Sequence, residues 1–458
     1  MARYRLLGFV LCLSAVVCPT TLLACALPAP DGSYAVGSRA FQLEDATRMG
    51  VSGAPADASR VLPGRVWFPA LRGGPPAPYL TTDEAAVQLP ALARNLGYPP
   101  AETAALADCL TASGGTGIAQ APASGFPLVV LDHGFFLYPA QNTALAQSLA
   151  SDGYVVLALA HPGDSVDVAL EDGSVRETLL APDAPALNAW RKAFHDAPDH
   201  ATRTGLLDGY AKALIGSRLG DSQQVWRDDL LFAIDALQRG ALPDALRPLL
   251  SVTDVDRLAI IGMSFGGSTA ATVCARRTTC RAAVSLDGLN FDPALFDAPV
   301  GRPLLLVHGD WIAYPMYAGT PVDPAYHAND YAYERWVDVG TDPRIVRIRV
   351  PGSRHMAFSD LPLLMPGDDP VARYGNAQPQ AMARGLAAVV RAFVAEHLRE
   401  APPTVASEIE RAGFERHTPT QTRDWARAHE RHLQPGDRAP CPARTGRATL
   451  PGPVRRTP

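Results

Sequence analysis

Short, continuously apolar runs alternate with segments of helical spacing along most of this chain. Arg65-Val66-Trp67-Phe68-Pro69 reads as an early strand, and Phe126 to Asp132 is a seven-residue run ending at His133-Gly134. Apolar runs of this length suit strands buried on both faces of a sheet. Further strands are expected at Tyr154–Ala160, Leu258–Ile261, Arg281–Leu286, Pro303–Val307 and Ile345–Val350. Between the first two long runs, Ala140–Ala150 places Leu145 and Leu149 on one helical face, which makes a strand-helix-strand crossover. Helices are also expected at Asp221–Arg239 and Pro379–Leu398. The alternation predicts an α/β protein with a mostly parallel, doubly wound sheet and flanking helices.

The same pattern divides the chain. Residues 27–60 are rich in Pro, Ala and Gly and carry no predicted element, so the α/β body is assigned to residues 60–400. Residues 162–220 form a polar, Ala-rich insertion, a cap-like segment that covers a site or packs outside the body. A helical extension is expected at 401–434, and the Pro/Gly/Arg-rich segment 435–458 is expected to be disordered.

Length adds little, since 458 residues suit one large domain or several. Arg3 and Arg5 precede an apolar run from Leu6 to Val17 that is too short to span a bilayer, which reads as a secretory leader over residues 1–26. The chain is therefore expected to be exported, secreted or periplasmic. Leu22-Leu23-Ala24-Cys25 offers a second reading as a lipoprotein box with Cys25 lipidated, although Leu23 is unusual there. A formal net charge of −5 with 19% charged residues gives no basic field for nucleic acid, and none is expected as a partner.

Seven cysteines are present. Cys12, Cys18 and Cys25 fall with the leader, leaving Cys109, Cys274, Cys280 and Cys441 to pair in an oxidising compartment or remain as buried thiols. Cys274 and Cys280 are the best candidate pair. No spaced Cys/His set is present, so no structural zinc site and no other cofactor is expected.

Candidate chemistry centres on Gly262-Met263-Ser264-Phe265-Gly266-Gly267, which directly follows the Leu258–Ile261 strand. A Gly-x-Ser-x-Gly run in that context is a nucleophile elbow, with glycines flanking a sharp strand-to-helix turn that lifts the Ser hydroxyl. A Gly- and Ser-bearing surface turn is the competing reading. A Ser nucleophile needs a His base and a carboxylate that fixes the His tautomer. His355, in Gly352-Ser353-Arg354-His355-Met356-Ala357-Phe358, lies just past a predicted strand. Two carboxylates compete for the third place. Asp287 follows the first strand after the elbow helix, and Asp310 follows the next one in His308-Gly309-Asp310-Trp311. In many hydrolases the acid stands three residues past that Gly, a position held here by Ile312, so Asp287 is preferred. Chain order Ser, Asp, His holds either way. Oxyanion donors are expected at the Phe135 amide, in the His133-Gly134-Phe135 turn, and at the Phe265 amide after the nucleophile.

These residues together resemble the plasma-type platelet-activating-factor acetylhydrolases, a family of α/β-hydrolases with related bacterial esterases and polyester hydrolases. The resemblance rests on the elbow, on Asp287 twenty-three positions after Ser264, on Gly-Ser-x-His-x-x-Phe-x-Asp ending at Asp360, on the His133-Gly134 turn, and on Ser151 to His161. It spans roughly Arg60 to Leu398. It implies an α/β-hydrolase fold and a serine carboxylic-ester hydrolase, with short or oxidised sn-2 acyl phospholipids as substrates, transient contact with lipid surfaces, and Asp287 rather than Asp310 as the acid. Met263 departs from the family's usual His, and Gly163 stands where an Arg-Asp pair is common. Tyr314, Tyr317, Tyr326, Tyr331, Tyr333, Trp311 and Trp336 have no family counterpart; they wall a pocket or pack a long loop. Two rival functions share these residues: acyl transfer to an alcohol, and a binding protein that keeps the fold without the chemistry.

Overall fold

The structure is a computed structural model that describes residues 25–428 except 50–58, 180–188, 191, 192, 195, 198, 199, 245, 296–298, 313, 314, 317–319 and 322–326. Nine strands form the main sheet: β1 Ala35–Met49, β2 Ser59–Ala70, β3 Phe126–Asp132, β4 Val155–Leu159, β5 Thr253–Met263, β6 Cys280–Leu286, β7 Leu304–His308, β8 Ile345–Arg349 and β9 Glu415–Arg416. Their spatial order is β1-β2-β4-β3-β5-β6-β7-β8-β9. From β4 across to β8 every neighbouring pair is parallel, while β1, β2 and β9 join antiparallel at the two edges.

Alternation along the buried strands sends side chains to two separate cores. Val129 and Leu131 of β3, with Ala259 and Ile261 of β5, enter one core with helices α1 Thr82–Leu96, α2 Thr143–Ser151 and, on the far side of the chain, the helix Pro379–Leu398. Leu128, Val130, Leu258 and Ile260 face the other core, which is covered by Arg218–Arg239 and Phe265–Arg276. Numbered in chain order, His200–Leu214 is α3, and the last three are α4 (Arg218–Arg239), α5 (Phe265–Arg276) and α6 (Pro379–Leu398). A sheet hydrophobic on both faces requires this double covering. Truncating a fully buried side chain such as Ile260 to Ala would cost about 2–5 kcal/mol.

Several sequence expectations need correction. Residues 35–49 are a fifteen-residue strand, β1, paired with β2, so the sheet begins well before residue 60. Cys25 is bonded to Cys109, Ala26 bridges to Leu110 and Leu27 is buried. Cys25 therefore belongs to the folded body. A leader cut after Ala26 would remove it, and a lipidated Cys25 would have no thiol to pair. Cys274 and Cys280 form the second disulfide, at the end of α5, as expected from their spacing. The extension past 401 holds short helices at Val405–Arg411 and Thr420–Ala428, with β9 between them as an unforeseen edge strand. Cys441 and residues 435–458 lie outside the described residues, as do residues 1–24 of the expected leader. Tyr314, Tyr317 and Tyr326 lie there too, whereas Tyr331, Tyr333 and Trp311 are buried, the first against Phe194, so these three pack the protein interior.

Candidate active site

Strand β5 runs straight into α5 through Ser264, whose backbone sits at φ 56°, ψ −119°. That conformation is disfavoured for a residue with a Cβ and costs on the order of 1–3 kcal/mol. The turn is tight enough to exclude side chains on either side. A Cβ on Gly262 would lie 2.0 Å from Gly266 O, and one on Gly266 would lie 2.5 Å from His133 O. The glycines of the elbow are thus demanded by contacts within the turn and with the neighbouring strand end.

At the top of the sheet three side chains from three loops meet. His355 Nε2 is 2.9 Å from Ser264 Oγ, and His355 Nδ1 is 2.6 Å from Asp287 Oδ2. With Nδ1–H donating to the carboxylate, Nε2 accepts the Ser264 hydroxyl proton. Asp287 directly follows β6 in a left-handed conformation, φ 53°, and its second oxygen accepts Gly309 N–H at 2.6 Å. Burial works to raise the Asp287 carboxyl. The hydrogen bond and charge of His355, with the Gly309 amide, outweigh it and hold the group below the usual carboxylate value. Ser264 is half-buried and the His355 ring is 46% exposed, so the pair is reachable from solvent.

Asp310 is not part of this group. Its carboxylate pairs with Arg349 at 2.5 Å and accepts Gly352 N–H at 2.7 Å, which anchors the start of the His355 loop to β8.

The turn after β3 packs against the elbow. A Cβ on Gly134 would lie 3.4 Å from Ser264 Cβ, and the Phe135 and Phe265 rings meet edge to face at 5.2 Å. His133 Nδ1 lies 2.7 Å from Gly134 O, and Gly134 N–H donates to Gln141 Oε1 at 2.9 Å. Burial, aided by His161, pushes His133 down to about 3, so a neutral ring donates to that carbonyl. Because the peptide is planar and trans, pinning Gly134 C=O points Phe135 N–H the opposite way. Phe136 N–H is spent on Asp164 O at 2.8 Å. Phe265 N–H is in the first turn of α5, where amides have no partner within the helix. Phe135 and Phe265, whose amides are the expected oxyanion donors, thus lie on two turns that meet at Ser264.

Beneath the turn lies a charged layer that sequence reasoning missed. His161 Nε2 meets Asp132 Oδ1 and Nδ1 meets Asp229 Oδ2, each at 2.8 Å, and Arg60 grips Asp229 at 2.6 Å. Burial opposes a charge on His161, but the two carboxylates raise it to about 9. Trp226 stacks on the ring at 4.0 Å. The only sequence signal was His161 after a strand; Asp229 sits more than sixty residues later on α4.

Aromatic and aliphatic side chains wall this corner. Tyr210 and Leu214 of α3 pack with Trp226, Phe265 and Phe291, against partly buried Phe135, Trp190 and Leu289. Segment 162–220 therefore reaches the elbow through α3.

A mostly parallel sheet in this order, with an elbow after β5 and a Ser, Asp, His set in chain order at the strands' C-terminal ends, defines the α/β-hydrolase fold. Comparison with protein-family models finds no match. Among solved structures the chain is similar to a ferulic acid esterase from Streptomyces cinnamoneus, with a TM-score of 0.59 and 24% identity over 83% of this chain and 94% of that one. At that identity the likeness shows the fold.

Proposed function

We propose that this chain is an exported serine carboxylic-ester hydrolase. The observation that carries the reading is the hydrogen-bonded line Ser264, His355, Asp287 on a strained elbow. In it, His355 takes the Ser264 proton as Oγ attacks the ester carbonyl, and Asp287 keeps Nδ1–H in place and stabilises the imidazolium. The Phe135 and Phe265 amides receive the developing oxyanion; removing one such donor typically costs about 2.7–4 kcal/mol. His355 then returns the proton to the leaving alcohol, and water activated by the same His opens the acyl-enzyme. Two disulfides among the described residues, together with the basic-then-apolar leader, support an oxidising compartment outside the cytoplasm.

The acetylhydrolase resemblance favours short or oxidised sn-2 acyl phospholipids. The ferulic acid esterase neighbour and the aromatic rings around Phe265 favour a second reading, an ester with an aromatic acyl group. Turnover of p-nitrophenyl acetate by the wild type and its loss by about 10⁴–10⁶-fold in Ser264→Ala would support the esterase reading; unchanged turnover would overturn it. Specificity constants for short-chain, short-acyl phospholipid and feruloyl esters, compared side by side, decide between the two substrates.

A further inference from the structure

A buried line of amide groups joins the turn after β3 to the loop that carries His355. Gly134 N–H donates to Gln141 Oε1 at 2.9 Å, Gln141 Nε2 donates to Asn142 Oδ1 at 2.7 Å, and Asn142 Nδ2 donates to Phe358 O at 2.6 Å. A backbone bond from Asp360 N–H to Gln141 O, 2.7 Å, ties the same two segments again. Gln141 is 1% exposed and Asn142 8%.

The line has a direction. Gln141 must accept with its oxygen and donate with its nitrogen, and reversing the Asn142 amide would set donor against donor and acceptor against acceptor. Asn142 also breaks a local rule. It occupies the N-cap position of α2, where an Asn side chain normally accepts a helix amide, yet it makes no capping hydrogen bond. Its side chain is spent on Phe358 O instead, three residues past His355. The first-turn amide of Ala144 is taken by Asp360 instead, so the segment after His355 also caps α2.

We propose that Gln141, acting with Asn142, is a positioning residue that holds the Phe135 amide and the His355 loop in one register. The proposal rests on the serine-esterase reading above. Gln141 fixes the peptide that precedes Gly134, as His133 fixes the peptide that follows it, so Phe135 N–H is aimed by constraint from both sides. Through Asn142 the same side chain sets where the base loop stands relative to that amide. The hydrogen bonds of both side chains run to the turn and the loop, not to Ser264, His355 or Asp287.

Gln141→Met keeps the volume and removes both polar contacts. Expected is a fall in kcat of about 10²-fold with KM little changed, since a displacement near 1 Å at a reacting centre costs about that much. A trifluoromethyl ketone, whose hemiketal with Ser264 places an oxyanion at the same amides, should bind more weakly by the same factor, which a loss of stability alone would not produce. Asn142→Leu keeps the Gln141 acceptor for Gly134 and removes only the link to Phe358 O, and an intermediate loss is expected. Adding Asn142→Leu to Gln141→Met should cost less than the two single effects combined. A kcat for Gln141→Met within about threefold of wild type overturns the positioning role. If that variant does not fold, as judged by near-ultraviolet circular dichroism, an unchanged kcat for Asn142→Leu overturns it instead. Absence of Ser264-dependent turnover in the wild type overturns the esterase reading, and this proposal with it.

Discussion

The carboxylate of Asp310 is bound by the guanidinium of Arg349, 2.5 Å away, and this pairing leaves the place beside His355 to Asp287. Asn substitutions at the two acids should therefore separate chemistry from scaffolding. Asp287→Asn is expected to lower kcat by about 10⁴-fold, because an amide stabilises the wrong His tautomer. Asp310→Asn should leave kcat within a few-fold and reduce the melting temperature, since Arg349 loses its partner on the buried side. Kinetics on p-nitrophenyl acetate with thermal unfolding of both variants checks the ranking.

Ser264 stores strain that its removal should reveal. Gly tolerates φ 56° where Ala does not, and both substitutions remove the hydroxyl. Ser264→Gly is expected to be more stable than Ser264→Ala by about 1 kcal/mol, the strain relieved less the extra chain entropy of Gly. Urea unfolding of the two variants measures the difference directly.

His161 on one side and His133 and His327 on the other tie stability to pH in opposite senses. The folded chain keeps the His161 proton up to about 9, whereas an ordinary His loses it near 6.5. Between those values the folded state binds the extra proton, so stability falls as pH rises, by up to about 1.4 kcal/mol per unit. His133 is held down to about 3 and His327 to about 4 by burial. From those values up to 6.5 the unfolded chain binds more protons, so stability falls as pH drops. Urea midpoints from pH 4 to 9.5 should trace both limbs, and His161→Gln should flatten the alkaline one while lowering stability overall.

The two disulfides differ in the length of chain they close, 84 residues for Cys25–Cys109 and 6 for Cys274–Cys280. The chain-entropy relation assigns about 4–5 kcal/mol to the first and about 2 kcal/mol to the second. Paired Ser substitutions followed by urea unfolding should reproduce that order. Non-reducing peptide mapping should recover a Cys25–Cys109 peptide, and any cleavage of the expected leader must then fall before Cys25.

Pattern alone fixed the parallel core of the sheet. Phe126–Asp132 and Pro379–Leu398 are bounded as their apolar runs indicated, because a strand buried on both faces and a helix with one buried stripe write their limits into local sequence. Ser264 and His355 were legible for the same reason, each lying in a loop directly after such a strand. β1 was not, because Ala35–Met49 mixes buried and exposed positions at a sheet edge and hides in a Gly- and Ala-rich stretch. Motif context favoured Asp287, but a carboxylate after either of two adjacent strands could serve; the Arg349 side chain on β8 withdraws Asp310 only once the strands are assembled. The charged layer of Asp132, His161 and Asp229, the bond from Cys25 to Cys109, and the line from Gly134 through Gln141 to Phe358 join residues far apart in the chain. Local sequence specifies which elements form; distances between their ends are set by packing, and only the tertiary structure brings those partners within hydrogen-bond reach.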